Sequence, residues 1–265
     1  MKRPPLLVPK ITPTLSIVIP AHNASKYLKS TIDLILRQLE PVGITYEILV
    51  MENGSTDATC QVAEELAREH PQVRVLSDAT HPGKGRAVAN GILQSHGTYA
   101  CFCDADLEIS PEHIIPLLQA LKEGNQIATV SKRHPDSVVT SPLRRSFLSI
   151  GYNSLVRLIF RTGLYSHQDG LKAFRKEDIL RLLPYAQDTG WFWDTEVLVL
   201  AKMAGYHIKE LPIHCDYGWE STFDPLSGVG YFLPRLVSLL FRYPSLRRKV
   251  RASRVPSQNL GRAAL

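Results

Sequence analysis

Apolar and polar positions alternate along this chain in two rhythms that succeed one another. Leu15 to Pro20 (LSIVIP), Tyr46 to Met51 (YEILVM), Val73 to Leu76, Tyr99 to Cys103 and Ile127 to Ser131 are short apolar runs that read as strands. Between them lie patterns with helical spacing. One, beginning at Ser25 or Lys26, places Leu28, Ile32, Ile35, Leu36 and Leu39 on one face. Others run from the Glu52–Asp57 turn to about Glu69, from the His81–Arg86 loop to about Ser95, and from Pro111 to Lys122. Proline near the start of the last costs little, because the first turn has no partner for its N–H. Strand and helix in strict alternation predict an α/β fold with a mostly parallel central sheet flanked by helices.

Beyond Ser131 the rhythm changes. Leu143 to Leu164 is a long apolar helical region. It is followed by a strand at Leu171 to Phe174, a helix at Lys176 to Leu183, an apolar helix at Asp194 to Ala204 and a strand at Tyr206 to Ile213. Val229 to Tyr243 is apolar with two arginines. No repeat or low-complexity segment interrupts the chain. The division expected is a flexible N-terminus at 1–13, one folded domain at 14–245 and a basic tail at 246–265.

With 265 residues, 44% of them hydrophobic, the chain can bury one large α/β core. The net charge of +6 is concentrated at the end. Arg247, Arg248, Lys249, Arg251, Arg254 and Arg262 lie in the last nineteen residues, with no acid among them. Such a tail suits an anionic surface or merely solubilises the chain end. The four cysteines, Cys60, Cys101, Cys103 and Cys215, make no Cys-x-x-Cys pair, which argues against structural zinc and fits a reducing compartment. No signal peptide and no uninterrupted apolar span of about 18–20 residues is present.

The chemistry concentrates after three of the strands. Pro20-Ala21-His22-Asn23 follows the first, Glu52-Asn53-Gly-Ser-Thr-Asp57 the second, and Asp104-Ala105-Asp106-Leu-Glu108 the fourth. All three fall on the carboxyl edge of a parallel sheet, where open α/β folds bind ligands. In extended chain, residues i and i+2 point the same way, roughly 6.5–7 Å apart. Asp104 and Asp106 would then face one point, and a divalent cation would relieve their repulsion while leaving positions for phosphate oxygens. Alone, an Asp-x-Asp is usually a solvated loop; behind two further polar loops it reads as a metal and diphosphate site. Gly83-Lys84-Gly85 is not a P-loop, since the GxxxxGK[ST] spacing is absent. His22, His81 and His167 have no metal-ligand spacing. Asp169 and Asp194-Thr-Glu196 read as helix caps, as partners of other charges or as site residues, with Asp194 well placed for an N-cap, and Trp191 and Trp193 read as packing residues.

These residues resemble the family 2 inverting glycosyltransferases with the A-type nucleotide-diphospho-sugar transferase fold. Within them the chain is most similar to the dolichyl- and polyprenyl-phosphate glucosyl- and mannosyltransferases. The matching blocks are LSIVIPAHN, YEILVMENGSTDAT, HPGKGRAVANGI, DADLE, the Ser131-Lys-Arg133 strand end, HQDGLKAFR, WFWDTEVLVLA and GYHIKELPI. The resemblance implies that Pro20 to Asn23, Glu52, Asn53 and Asp57 enclose the base and ribose of the donor. It places Lys84 near the donor, and Asp104, Asp106 and Glu108 on Mg²⁺ or Mn²⁺, with Ala105 between them. Arg133 and Arg144 or Arg145 would hold an acceptor phosphate, and Asp169 is a further candidate catalytic acid. His22 and Ala24 stand where the family usually has Tyr and Glu, and Glu52-Asn53 replaces its paired aspartates.

The reaction implied is metal-dependent, inverting transfer of glucose or mannose from a UDP- or GDP-sugar such as UDP-glucose or GDP-mannose to a polyprenyl phosphate. The alternatives are a hydroxyl-acceptor transferase and a non-catalytic nucleotide-sugar-binding protein. Two negative phosphates brought to about 4 Å repel by on the order of 4 kcal/mol at an effective dielectric near 20. A cation on the leaving diphosphate and arginines on the incoming phosphate offset that. The apolar segments at 147–164 and 229–241, interrupted by Arg157, Arg161, Pro234 and Arg235, suit amphipathic helices lying on a bilayer. The expected setting is therefore peripheral, at the cytoplasmic membrane face, with a membrane partner and no nucleic acid.

Overall fold

The computed structural model describes residues 12–78, 80, 82–140, 143–216 and 225–252, without the side chains of 143–147, 216 and 225–229. Most of the expected N-terminal segment and of the tail beyond Ala252 lies outside the described residues, as does His81.

Strands β1 (Leu15–Ala21), β2 (Tyr46–Glu52), β3 (Val73–Ser77) and β4 (Tyr99–Cys103) alternate with helices α1 (Leu28–Leu39), α2 (Thr59–Glu69) and α3 (Lys84–Gln94). Then come α4 (Ile114–Lys122), β5 (Ile127–Val130), β6 (Val138–Thr140), α5 (Leu143–Phe160), β7 (Leu171–Arg175) and α6 (Lys176–Leu182). The chain closes with α7 (Trp193–Met203), β8 (Ile208–Leu211), β9 (His214–Asp216) and α8 (Pro225–Ala252). The main sheet has seven strands in the order β3-β2-β1-β4-β7-β5-β8. Its pairings are parallel except those of β7, which runs antiparallel to both β4 and β5. The sheet is mostly parallel as expected, with one reversed strand at its centre.

Strand periodicity divides the core between the two faces. Leu15, Ile17 and Ile19 of β1 and Cys101 and Cys103 of β4 enter a cluster with α1, α2 and α4. Val18, Ala100 and Phe102 point the other way, into a cluster with α3 and α5 to α8. Helix α8 continues past residue 245 because Leu246 and Val250 are buried in this second cluster. Two elements escaped the sequence pattern. Strands β6 and β9 pair in parallel as a separate two-stranded ribbon, and three residues are too few for a strand rhythm to show.

Candidate active site

The carboxyl edge of the sheet is where the polar loops meet. His22 Nδ1 donates to the Asn53 carbonyl at 2.9 Å, and Asn23, at φ 51°, accepts the Thr56 N–H at 2.8 Å. Asn is among the few side chains that enter the left-handed region readily. Ser25 N and Oγ donate to Asp57, at 3.2 and 2.6 Å. Burial pushes the Asp57 carboxyl up, but the hydrogen bonds from Ser25 and Thr59 outweigh it and hold it below the usual range. Pro20 and Ala21 end β1, and Asn53, itself buried, follows β2. Residues 20–23 and 52–57 are thus brought together as one polar rim. Within it Glu52 turns inward. It accepts Ser55 N–H and Ser77 Oγ–H, each at 2.6 Å, so both its oxygens brace the loop.

Asp104 lies one residue beyond β4. Its N–H donates to the Gly170 carbonyl at 2.9 Å. The chain then turns instead of staying extended, with Ala105 buried and Leu107 at φ 60°. The simple i, i+2 geometry therefore fails, yet Asp104, Asp106, Glu108, Ile109 and Gly170 still line one narrow cleft. A Cβ at Gly170 would lie 2.0 Å from Asp104 Oδ2, so the close approach of β7 to this carboxylate requires glycine.

Lys84, the first residue of α3, reaches Asp104 Oδ2 at 2.8 Å and Asp194 Oδ2 at 3.3 Å. Asp194 in turn takes Lys172 Nζ at 2.8 Å, and Lys172 also donates to the Asp169 carbonyl at 2.5 Å. The side chains of Lys172 and Asp194 are only 1% and 2% exposed. Four charges of alternating sign, Lys172, Asp194, Lys84 and Asp104, thus run from the sheet interior to the cleft. Burial would lower the Lys84 pKa, but the two aspartates raise it above its ordinary value. Burial, together with Asp106 and Asp194, pushes the Asp104 carboxyl up to about 6 against the pull of Lys84. A cation in the cleft would oppose that rise.

The first turn of α3 is held by the 187–193 loop. Gly85 N donates to the Gly190 carbonyl at 3.2 Å and Arg86 N to the Thr189 carbonyl at 3.0 Å. A Cβ on Gly85 would sit 2.4 Å from Trp193 Cβ. The loop is tied to α8 directly by Arg235 Nε on Asp188 Oδ2 and, through Glu196 of α7, by Arg242 on Glu196 Oε1, both at 2.9 Å. Glu196 Oε2 accepts the Gln187 and Asp188 N–H groups.

Several expectations change here. Asp194 is not an N-cap: α7 starts at Trp193, and Asp188 Oδ1 accepts the Gly190 and Trp193 N–H groups instead. Glu108 lines the cleft with the aspartates, but its carboxylate is also paired with Lys132 Nζ at 3.0 Å. Among the described residues no three His, Cys, Asp or Glu side chains are placed to hold a metal. The pair Asp104 and Asp106 remains as the candidate donor set. It fits Mg²⁺ or Mn²⁺, which bind through one or two carboxylates and complete their shell with substrate phosphates. Asp169 is buried and its Oδ2 accepts the Lys132 N–H at 3.2 Å, a positioning contact. Arg133 Nε donates to Ser149 Oγ at 3.3 Å. The Arg144 and Arg145 side chains lie outside the described residues.

Sequence reasoning missed Lys172 and Gly170. The signal for Lys172 was a lysine inside the apolar strand LKAFR, where a buried charge requires a partner.

The Glycosyl transferase family 2 model matches residues 16–183. Glycosyltransferase AglD of Haloferax volcanii is 31% identical over 242 residues, which cover 89% of this chain and 39% of AglD. The dolichyl-phosphate beta-glucosyltransferase of Saccharomyces cerevisiae is 30% identical over 219 residues, covering 75% of this chain and 66% of that protein. The chain thus spans under half of the first relative and just under two thirds of the second. Glucosyl-3-phosphoglycerate synthase from Mycobacterium tuberculosis was solved with Mn²⁺, UDP and glucosyl-3-phosphoglycerate. It superposes with a TM-score of 0.63 at 19% identity, over 92% of this chain and 85% of that one, a likeness of fold.

Proposed function

The chain belongs to glycosyltransferase family 2, and on that premise we propose that it moves glucose or mannose from a UDP- or GDP-sugar to a polyprenyl phosphate, with inversion. The observation that carries this reading is the cleft of Asp104 and Asp106 at the carboxyl edge, backed by Lys84 and flanked by the 20–23 and 52–57 rim. The acceptor half is supported by the resemblance to a dolichyl-phosphate beta-glucosyltransferase over 75% of the chain.

The rim residues Pro20 to Asn23, Asn53 and Asp57 hold the base and ribose. Asp104 and Asp106 would hold Mg²⁺ or Mn²⁺, which when bound neutralises the departing diphosphate. Lys84 supplies a fixed positive charge beside Asp104. On the other side Arg133 attracts the incoming phosphate, with Arg144 or Arg145 as a second cation. That phosphate is already ionised near neutral pH, so no general base is needed. Its oxygen forms the new bond to the anomeric carbon as the bond to the diphosphate oxygen breaks, and in-line displacement inverts that centre. Asp169, bonded to the Lys132 N–H, orients the strand end that carries Arg133.

No helix among the described residues is long and apolar enough to cross a membrane. Leu233, Val237, Leu240 and Phe241 of α8 and Leu155 and Leu158 of α5 are nevertheless exposed, which supports docking on the cytoplasmic membrane face.

The test is one assay with purified protein, Mn²⁺ or Mg²⁺, a panel of nucleotide sugars and a short prenyl phosphate. Transfer from one donor is expected. Intact nucleotide binding without transfer from any donor overturns the reading. The companion variant Asp106→Ala should lose metal-dependent transfer at least about a hundredfold and keep its thermal midpoint; undiminished turnover would remove the metal role.

A further inference from the structure

Beside the cleft, beyond the 167–170 segment, lies a pocket of about 270 Å³ lined by Arg133, Ile150, Asn153, Ser154, Arg157 and Tyr165. We infer that Arg157 and Tyr165, together with Arg133, form a subsite for a phosphate monoester carried on an apolar chain, an inference that rests on the lipid-phosphate acceptor proposed above.

Three observations carry it. First, the charge is unspent: among the described residues neither Arg133 nor Arg157 meets a carboxylate within ion-pair distance. The guanidinium of Arg157 lies 5.2 Å from the Tyr165 ring centroid, a cation–π placement that orients it without neutralising it. Glu210 is occupied by the Tyr165 and Ser166 N–H groups at 2.9–3.0 Å. Second, the wall is fixed. Asn153 Oδ1 accepts both the N–H and the ring Nδ1–H of His167, at 2.9 Å each, and Asn153 Nδ2 donates to the Ser149 carbonyl at 2.9 Å. The His167 segment ends at Gly170, which borders the Asp104 cleft. Residues 167–170 thus run from the pocket wall to the Asp104 cleft. Third, its mouth is apolar on one side. Ile150 is 48% exposed and Leu158, two turns further along α5, is 77% exposed. The volume falls just below the range of about 300–1,000 Å³ usual for drug-sized ligands, so it suits a headgroup whose chain continues outside along α5.

Isothermal titration of the full chain tests this, with a short prenyl phosphate, the corresponding prenyl alcohol and inorganic phosphate as probes. The comparison is between the native chain and Arg157→Gln. Arg157 is exposed and makes no described ion pair, so the variant should fold, and unchanged UDP affinity verifies that it has. The native chain is expected to bind prenyl phosphate more tightly than either the alcohol or inorganic phosphate, and Arg157→Gln to lose on the order of tenfold. Equal binding of prenyl phosphate by both proteins overturns the subsite. Equal binding of prenyl phosphate and inorganic phosphate by the native chain overturns its apolar half. If prenyl phosphate binds and depends on Arg157 while no sugar is transferred to it, the subsite stands and the acceptor reading falls. Transfer that proceeds unchanged in Arg157→Gln gives the reverse.

Discussion

The two faces of the central sheet are built on different principles. The face covered by α1, α2 and α4 is closed by small and aliphatic side chains, among them Leu15, Ile17, Ile19, Val50 and Leu117, and among the described residues its buried cluster holds no aromatic ring. The face covered by α3 and α5 to α8 holds Phe102, Phe174, Phe192 and Trp193. Threaded among those rings is the charged line Lys172, Asp194, Lys84 and Asp104. Phe102 lies 5.2 and 5.3 Å from the two lysine ammonium groups. The first face is general hydrophobic burial, tolerant of exchange. The second trades stability for placement, since a buried ion pair is no better for stability than a well-packed apolar substitute. It positions Lys84 at the cleft through groups that are each costly to leave unpaired.

Cutting that line should cost most. Lys172→Met leaves Asp194 buried with Lys84 alone, and about 3–5 kcal/mol of stability should go, read as a lowered urea midpoint with unchanged slope. Leu117→Ala, on the aliphatic face, should cost about 3 kcal/mol by cavity formation and leave nucleotide affinity unaltered. If Lys172→Met proved the milder of the two, the charged line would not be the more brittle side. Gly170→Ala should displace Asp104, costing about 1–3 kcal/mol of strain and weakening metal-supported nucleotide binding in a titration. Acid should act gradually, through one buried ring. Burial, then Lys172 and Arg157, lower the His167 pKa to about 3, so between about pH 6.5 and 3 the unfolded chain holds a proton the folded one does not. Stability therefore falls as pH drops through that window, by about 1.4 kcal/mol per unit once well below 6.5. His167→Gln should flatten the denaturation profile there.

Much of the site was legible before the fold was known, because its loops follow strands in a regular order. Asp104 and Asp106 were read from the end of an apolar run, whereas Lys84 was placed near the donor by the family resemblance, since a glycine-flanked lysine alone reads as a surface turn. For Asp194 the sequence offered a helix cap, a partner for other charges or a site role, and a carboxylate at a helix start usually caps it, but the structure gives it to Lys84 and Lys172. Here Asp188, six residues earlier, takes that work and frees Asp194 for the lysines. Glu108 lies two residues beyond Asp106 and looked like a third ligand until Lys132 came within 3.0 Å of it.

Sequence alone determined the strands of the main sheet and the helices, the shared edge of the three polar loops and the carboxylate pair. These depend on rhythms of two and 3.6 residues and on the position of polar groups after a strand, which are properties of a few neighbouring residues. Only the tertiary structure decided the reversal of β7, the line from Lys172 to Asp104, the capture of Glu108 and the pocket that joins Arg133 to Arg157. Each of these needs segments far apart in the chain to meet at hydrogen-bonding or ion-pairing distance. A charge buried by folding takes whichever partner the packing brings within reach, and no local pattern encodes that partner.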